Sequence, residues 1–301
     1  MRSKLAVAAI AGCPVFPASS PWNQRVDDLP VHPRSDAMVQ AIGADESVHP
    51  DFGSGTYEGR AIGIPYQVVA RSQKRSRVVF EYASESDRGP YPIPRKPRIE
   101  GGSDRHLLLV QRGTCRLFEL FAAHKRGRQW HAGSGAIFNL RSNRLRPEGW
   151  TSADAAGLPI LAGLARYDEV ARGEIRHALR FTVSQSRRAF VFPARHHAST
   201  FGDPDLPAMG QRFRLKASVD VRAMPRQARV VATALQRYGM LVADNGSDWS
   251  ITGAPHPRWD NDALRALKTL KGSDFEVVSE AGPRPSRSAE RGSPAASRRA
   301  G

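Results

Sequence analysis

Cysteine is nearly absent from this chain: its 301 residues hold Cys13 and Cys115 and no others. Two thiols so far apart make neither a zinc finger nor a multi-bridge framework, both of which need several ligands or cysteines at short spacing. Lysine is scarce too, seven against 38 arginines, although basic residues outnumber acidic ones 45 to 29 and the net charge is +16. The arginines are scattered and form no block interleaved with aromatics, so no specific nucleic-acid partner is expected. No run reaches the ~20 apolar residues that a membrane-spanning helix needs. HExxH does not occur, Ser134 lacks the GxSxG setting of a nucleophile elbow, and no glycine cluster sits between a strand and a helix as a nucleotide loop requires. His196 and His197 are adjacent, so on a strand they point oppositely. No metal and no organic cofactor are expected.

What is present fits a globular protein, with 40% apolar and 25% charged residues. Arg2 and Lys4 precede a short apolar run, and Ile10-Ala11-Gly12-Cys13 resembles a bacterial lipobox. That resemblance implies an export signal or lipoprotein-type leader over 1–20, a lipid anchor at Cys13, and a secreted or outer-envelope location. Cys115 then stands as a core thiol in an apolar segment, with a Cys13–Cys115 bridge as the alternative. The leader is expected to be followed by one β-rich domain over 21–278, with a sub-boundary at the Pro/Gly-rich stretch 83–104. A low-complexity, disordered tail is expected over 279–301.

Apolar, β-branched and aromatic content predicts strands at 66–70, 77–82, 106–111, 115–121, 130–138 and 189–192, and alternation of apolar and polar residues predicts strands at 176–183 and 211–219. The last is expected to be half-solvated, with Arg212 and Arg214 outward. Asp244-Asn245-Gly246 predicts a turn joining strands 240–243 and 249–252. Helices fit 36–42, 225–238 and 262–271. The predicted class is mainly β, an antiparallel β-sandwich or β-barrel core with a few short helices, and α+β additions near the C-terminus.

The densest mixture of turn residues, charge and aromatics runs from His131 to Val183, and loops of that kind carry chemistry. Cleavage of a glycan bond needs two carboxyls in different roles. The catalytic candidates are Asp154, Asp168 and Glu169, then Glu119 and Asp244, with His177 as a base. Trp150, Tyr167, Trp249 and Trp259 are candidate platforms for sugar rings or core residues, Trp249 fitting the core, and Arg166, Arg180 and Asn245 are candidate binding groups. Each also has a structural reading. Asp154 fits a turn or cap, Asp168–Glu169 fits the first turn of a helix, and His177 lies on the apolar face of its strand.

Two resemblances add to this. Residues 206–253 resemble the double-psi β-barrel of expansin-like and lytic-transglycosylase-like wall proteins, with Gly210 and Asp244 at the matching positions. The blocks PWNQ, ESDRGPYPIP, GWTSADAAGLPI, RYDEV, MGQRFRLKAS and YGMLVADNG resemble a group of secreted bacterial proteins. That likeness covers about 17–278 and implies export and a single fold. The expected function is that of a monomeric, exported, envelope-associated protein that hydrolyses an extracellular carbohydrate, or cleaves it by elimination, with loop carboxylates. The alternative is a non-catalytic module that binds a polysaccharide or an anionic envelope polymer.

Overall fold

The structure, a computed structural model, describes residues 8–279. Positions 1–7 of the expected leader and 280–301 of the expected tail lie outside the described residues. The fold is mainly β, with seventeen strands among the described residues, one sheet curled into a half-barrel, and 18% helix.

The chain opens with a small hairpin, β1 (Ala9–Ile10) and β2 (Cys13–Pro14), followed by α1 (Ser35–Ile42) and β3 (His49–Asp51). A second small hairpin pairs β4 (Thr56–Tyr57) with β5 (Arg60–Ala61). Next come β6 (Tyr66–Val69), β7 (Val78–Phe80), β8 (Leu107–Gln111) and β9 (Arg116–Leu120). β10 (His124–Arg126), β11 (Gln129–Ala132) and β12 (Gly135–Asn139) follow, then the short helices α2 (Ile160–Gly163) and α3 (Tyr167–Arg172). The C-terminal part holds β13 (Leu179–Val183), β14 (Arg212–Leu215), α4 (Arg226–Arg237) and β15 (Met240–Asn245). It closes with β16 (Ser250–Thr252), α5 (Asn261–Arg265) and β17 (Phe275–Val277).

Two sheets organise the body. One has four strands in the order β12-β9-β8-β6, the other six in the order β17-β14-β15-β13-β16-β3. A three-stranded sheet, β10-β11-β7, stands beside the first. The expectation of antiparallel pairing needs correction, because β13–β15, β16–β3, β6–β8 and β11–β7 are parallel. Asp244-Asn245 is no hairpin turn: β15 runs through Asn245, and β16 pairs with β13 instead of returning on β15. Positions 189–192 make only an isolated bridge, Phe190 to Met209.

Strands central to a sheet and covered on both faces read as continuous apolar runs. Leu107–Val110 and Met240–Ala243 are such runs and are fully buried. On α4, Ala228, Val231, Ala232 and Leu235 recur at helical spacing and are buried against the six-stranded sheet region. Gly239 ends that helix with φ +66°, and a Cβ there would lie 2.3 Å from the Phe213 carbonyl oxygen, so only glycine fits.

The N-terminal arm belongs to this body. Ile10, Cys13, Val15, Phe16 and Trp22 are buried in the main core, so residues 8–20 of the expected leader are folded structure. Cys13 is bonded to Cys115, with Cα atoms 5.3 Å apart. The sulfur that a lipid anchor would need is thereby taken, and Cys115 is no lone thiol. Further along the arm, the Asn23 amide donates to the Val15 and Pro17 carbonyls at 3.0 Å each, and Arg212 donates to the Pro21 carbonyl at 2.8 Å. The disulfide thus holds the arm to the β8–β9 turn, while Arg212 on β14 holds it to the other sheet. That use of Arg212 also corrects the half-solvated reading of its strand: Arg212 is buried, and Arg214 pairs with Glu276 at 2.7 Å. Within 83–104, Tyr91 and Ile93 are buried in a second, smaller core with Leu107, Leu109 and Phe118.

Candidate active site

A cleft of about 350 Å³ opens between the ends of β9 and β12 on one side and β15 on the other. Its wall is the segment 151–155, and its floor carries Asp154 and Asp244.

Nearly every polar group of that segment is fixed. Arg146 Nε donates to the Thr151 carbonyl at 2.7 Å, and Ser134 Oγ donates to the Ser152 carbonyl at 2.5 Å. His106 Nε2 meets the Ala153 carbonyl at 3.0 Å, while His106 Nδ1 faces Glu100 at 2.5 Å. Ser152 Oγ donates to the Leu158 carbonyl at 2.5 Å and accepts from the Asp154 amide at 2.9 Å. The Ala156 amide donates to the Ala243 carbonyl at 2.9 Å, which docks the segment on β15. Gly157 closes the turn with φ +71°, and a Cβ there would lie 2.6 Å from the Trp150 carbonyl oxygen. A loop so tied presents its side chains in one arrangement, the condition for a preorganised site.

Asp154 is completely buried and both its carboxylate oxygens are held by Arg180, at 2.6 Å from Nη2 and 2.9 Å from Nε. The remaining Arg180 nitrogen, Nη1, donates to Thr252 Oγ1 at 2.5 Å. Thr252 is on β16, the strand that pairs with β13 beside Arg180. Burial opposes the Arg180 charge, but Asp154 outweighs it and holds the guanidinium above its ordinary value.

Asp244 has the opposite setting. Burial, reinforced by the Asp154 charge, pushes its carboxyl up to about 7, against the pull of Arg180 and of the hydrogen bond from the Asn245 amide. It accepts that amide at 2.8 Å and the Ala155 amide at 3.4 Å. One carboxyl is therefore tied to a guanidinium, and the other keeps its proton to near neutrality.

Two further groups face the same space. His196 Nδ1 lies 2.7 Å from the Ala155 carbonyl, an acceptor only, so Nδ1 carries hydrogen and Nε2 is turned toward Glu85, 3.7 Å from Oε2. Glu85 Oε2 also accepts from the Thr151 amide at 3.2 Å. Phe121 and the exposed ring of Tyr82 supply the apolar edge.

Of the residues singled out from sequence, the cleft brings together Asp154 and Asp244, with Arg180 beneath them. Asn245 adjoins Asp244 but bonds to Ser186 and to the Val183 carbonyl. The others lie elsewhere. Glu119 is buried, and accepts the Ile160 and Leu161 amides at 3.0 and 2.9 Å at the start of α2; burial pushes it up to about 7. Glu169 is buried between Arg166, at 2.8 Å, and His177 Nε2, at 3.0 Å. Asp168 pairs with Arg172 at 2.5 Å on the first turn of α3. Tyr167 stacks on His256 at 4.4 Å with Arg258 over its ring, so its faces are occupied. Trp150 is half-buried under the Arg146 guanidinium and is not part of the cleft wall.

Sequence reasoning missed Glu85, His196, Thr151 and Ser134. Glu85 sits in a Pro/Gly-rich stretch without a motif, and His196 beside His197 matches no catalytic spacing. The polar run Thr151-Ser152-Ala153-Asp154 was the available signal. Among the described residues, no group of three or more His, Cys, Asp or Glu is placed to hold a metal ion, and no helix is long and apolar enough to cross a membrane. Comparison with protein-family models, with curated proteins and with solved structures finds no match to the chain.

Proposed function

We propose that the cleft is the active site of a glycoside hydrolase in an exported protein. The carrying observation is the pair of carboxyls in one cleft with opposite settings, Asp154 held by Arg180 and Asp244 with a carboxyl raised to about 7. Glycosidic cleavage needs an acid that protonates the leaving oxygen near neutral pH, and a second group that activates water or attacks the sugar. Asp244 is the acid. Glu85, with His196 beside it, is the group that takes a proton from water. Asp154 is a positioning residue: its oxygens are committed to Arg180, and its charge is what helps keep Asp244 protonated. The half-buried Thr151 hydroxyl beside Glu85 and Asp244 suits the hydrogen-bonding pattern of a polyol.

Elimination fits less well than hydrolysis. A lyase must neutralise a uronate carboxylate, and among the described residues no lysine or arginine side chain lines the cleft. The Cys13–Cys115 disulfide supports export, since such bonds persist in oxidising compartments. A second reading, a non-catalytic polysaccharide-binding module, uses the same polar cleft without turnover. The deciding experiment is reducing-sugar release from a panel of polysaccharides by the full chain and by Asp244→Asn. Release by the wild type that is lost in the folded variant supports the hydrolase. Binding to one polymer without release from any sinks it in favour of the module.

A further inference from the structure

We infer that the sugar residue seated in this cleft is uncharged, and that uronate and sulfated residues are excluded from it. This rests on the hydrolase reading for the chemistry, but its evidence is the charge of the cleft itself.

Two carboxyl groups face the space, Glu85 and Asp244, while Asp154 is tied to Arg180 beneath it, and among the described residues the lining contains no lysine or arginine. The nearest guanidiniums are already engaged. Arg180 gives two nitrogens to Asp154 and the third to Thr252. Arg146 gives its nitrogens to the Thr151 carbonyl, the Asp87 carboxylate and the Glu85 carbonyl. Arg195 reaches the Arg146 carbonyl at 3.0 Å and Glu148 at 3.4 Å. An anionic sugar entering here would lose its hydration and meet carboxyls without a free cation to receive it. A neutral sugar meets what its hydroxyls require: the oxygens of Glu85, Asp244 and the half-buried Thr151 to accept, and apolar edges at Phe121 and Tyr82 for its C–H face.

The local charge therefore opposes the charge of the whole. A net charge of +16 draws polyanions toward the molecule, but that attraction acts at the exterior and is screened by salt. Association with acidic polymers is then salt-sensitive and leaves the cleft free.

The test uses the full chain at 0.15 M salt. Saturation-transfer NMR is recorded with neutral oligosaccharides of glucose, galactose, mannose, xylose and arabinose, and with oligomers of glucuronate, galacturonate and mannuronate. Reducing-sugar release is followed on the same set. Ala198→Trp, at the exposed mouth, plugs the cleft, and Ala198→Arg places a cation there; Glu85→Gln is a second way to lower the negative charge. The expected result is binding of a neutral oligosaccharide, abolished by Ala198→Trp, with every uronate at least tenfold weaker and the gap narrowed by Ala198→Arg or Glu85→Gln. Neutral binding without cleavage keeps the inference and overturns the hydrolase. Uronate binding or cleavage that matches the neutral sugars and is lost in Ala198→Trp overturns the inference and keeps the enzyme. Binding of neither class overturns both.

Discussion

Arg180 and Asp154 are joined beneath the cleft by two parallel hydrogen bonds of 2.6 and 2.9 Å. Both side chains are buried, so neither charge has solvent to fall back on. Breaking such a pair from one side leaves an uncompensated buried charge, which costs about 3–5 kcal/mol. Arg180→Met is expected to lose that much stability in chemical denaturation. Arg180→Met combined with Asp154→Leu is expected to recover most of it. Equal, additive losses in the two single variants and the double would show that the residues are not coupled.

Asp244 gives a stability prediction whose sign follows from its shift. Its carboxyl is raised to about 7 from an ordinary 3.8. Between those values the folded chain binds the proton and the unfolded chain has released it, so this group makes stability fall as pH rises. Asp244→Asn removes the effect. The variant is expected to lose less stability than the wild type between pH 4 and 7 in parallel urea titrations; an identical slope would contradict the shift.

The Arg166–Glu169–His177 cluster has the reverse sign. Glu169 is buried, which alone would raise its carboxyl, but Arg166 and His177 hold it below its ordinary value. Its contribution is present above the unfolded value of 4.5 and is lost as pH falls through the lower folded one. Glu169→Gln is expected to destabilise by several kcal/mol, roughly 3–5 for a broken buried pair. Turnover per folded molecule should be unchanged. A folded variant with lost turnover would return Glu169 to the catalytic list.

The disulfide closes a loop across a separation of 102 residues. Removing a native bridge of that kind costs about 2–5 kcal/mol. Cys115→Ser is expected to show that loss by thermal unfolding, and the unreduced protein is expected to show no thiol reactive to an alkylating agent under denaturing conditions. One reactive thiol, with added lipid mass on the N-terminal peptide, would restore the anchor at Cys13.

The β class and most strands were legible because their signal is local. The apolar run in 106–111, the alternation in 176–183 and the periodicity of 225–238 survive in the structure as β8, β13 and α4. Pairing was not legible, since nothing in Asp244-Asn245-Gly246 tells a hairpin turn from a strand that runs on beside a parallel neighbour. The site was half legible. Asp154 and Asp244 stand out as loop carboxyls, but Arg180 read as one polar residue on a strand face, and its role depends on a partner 26 positions away. Glu85 and His196 reach the cleft through contacts at separations of 66 and 41 residues, distances over which spacing along a chain carries no information. The cysteine pairing was illegible for the same kind of reason: only the fold shows that Cys13 meets Cys115.

The most direct test of the account is the pH dependence of kcat on the best substrate of the polysaccharide panel, for the wild type and Asp244→Asn, with folding of both checked by circular dichroism. The account predicts a wild-type rate that falls as pH rises through about 7, where Asp244 loses its proton. It predicts a loss of roughly 100-fold or more in the variant, the scale of general-acid catalysis, with that limb gone. A folded Asp244→Asn protein that keeps both the wild-type rate and the limb would remove Asp244 from the chemistry and with it the central claim.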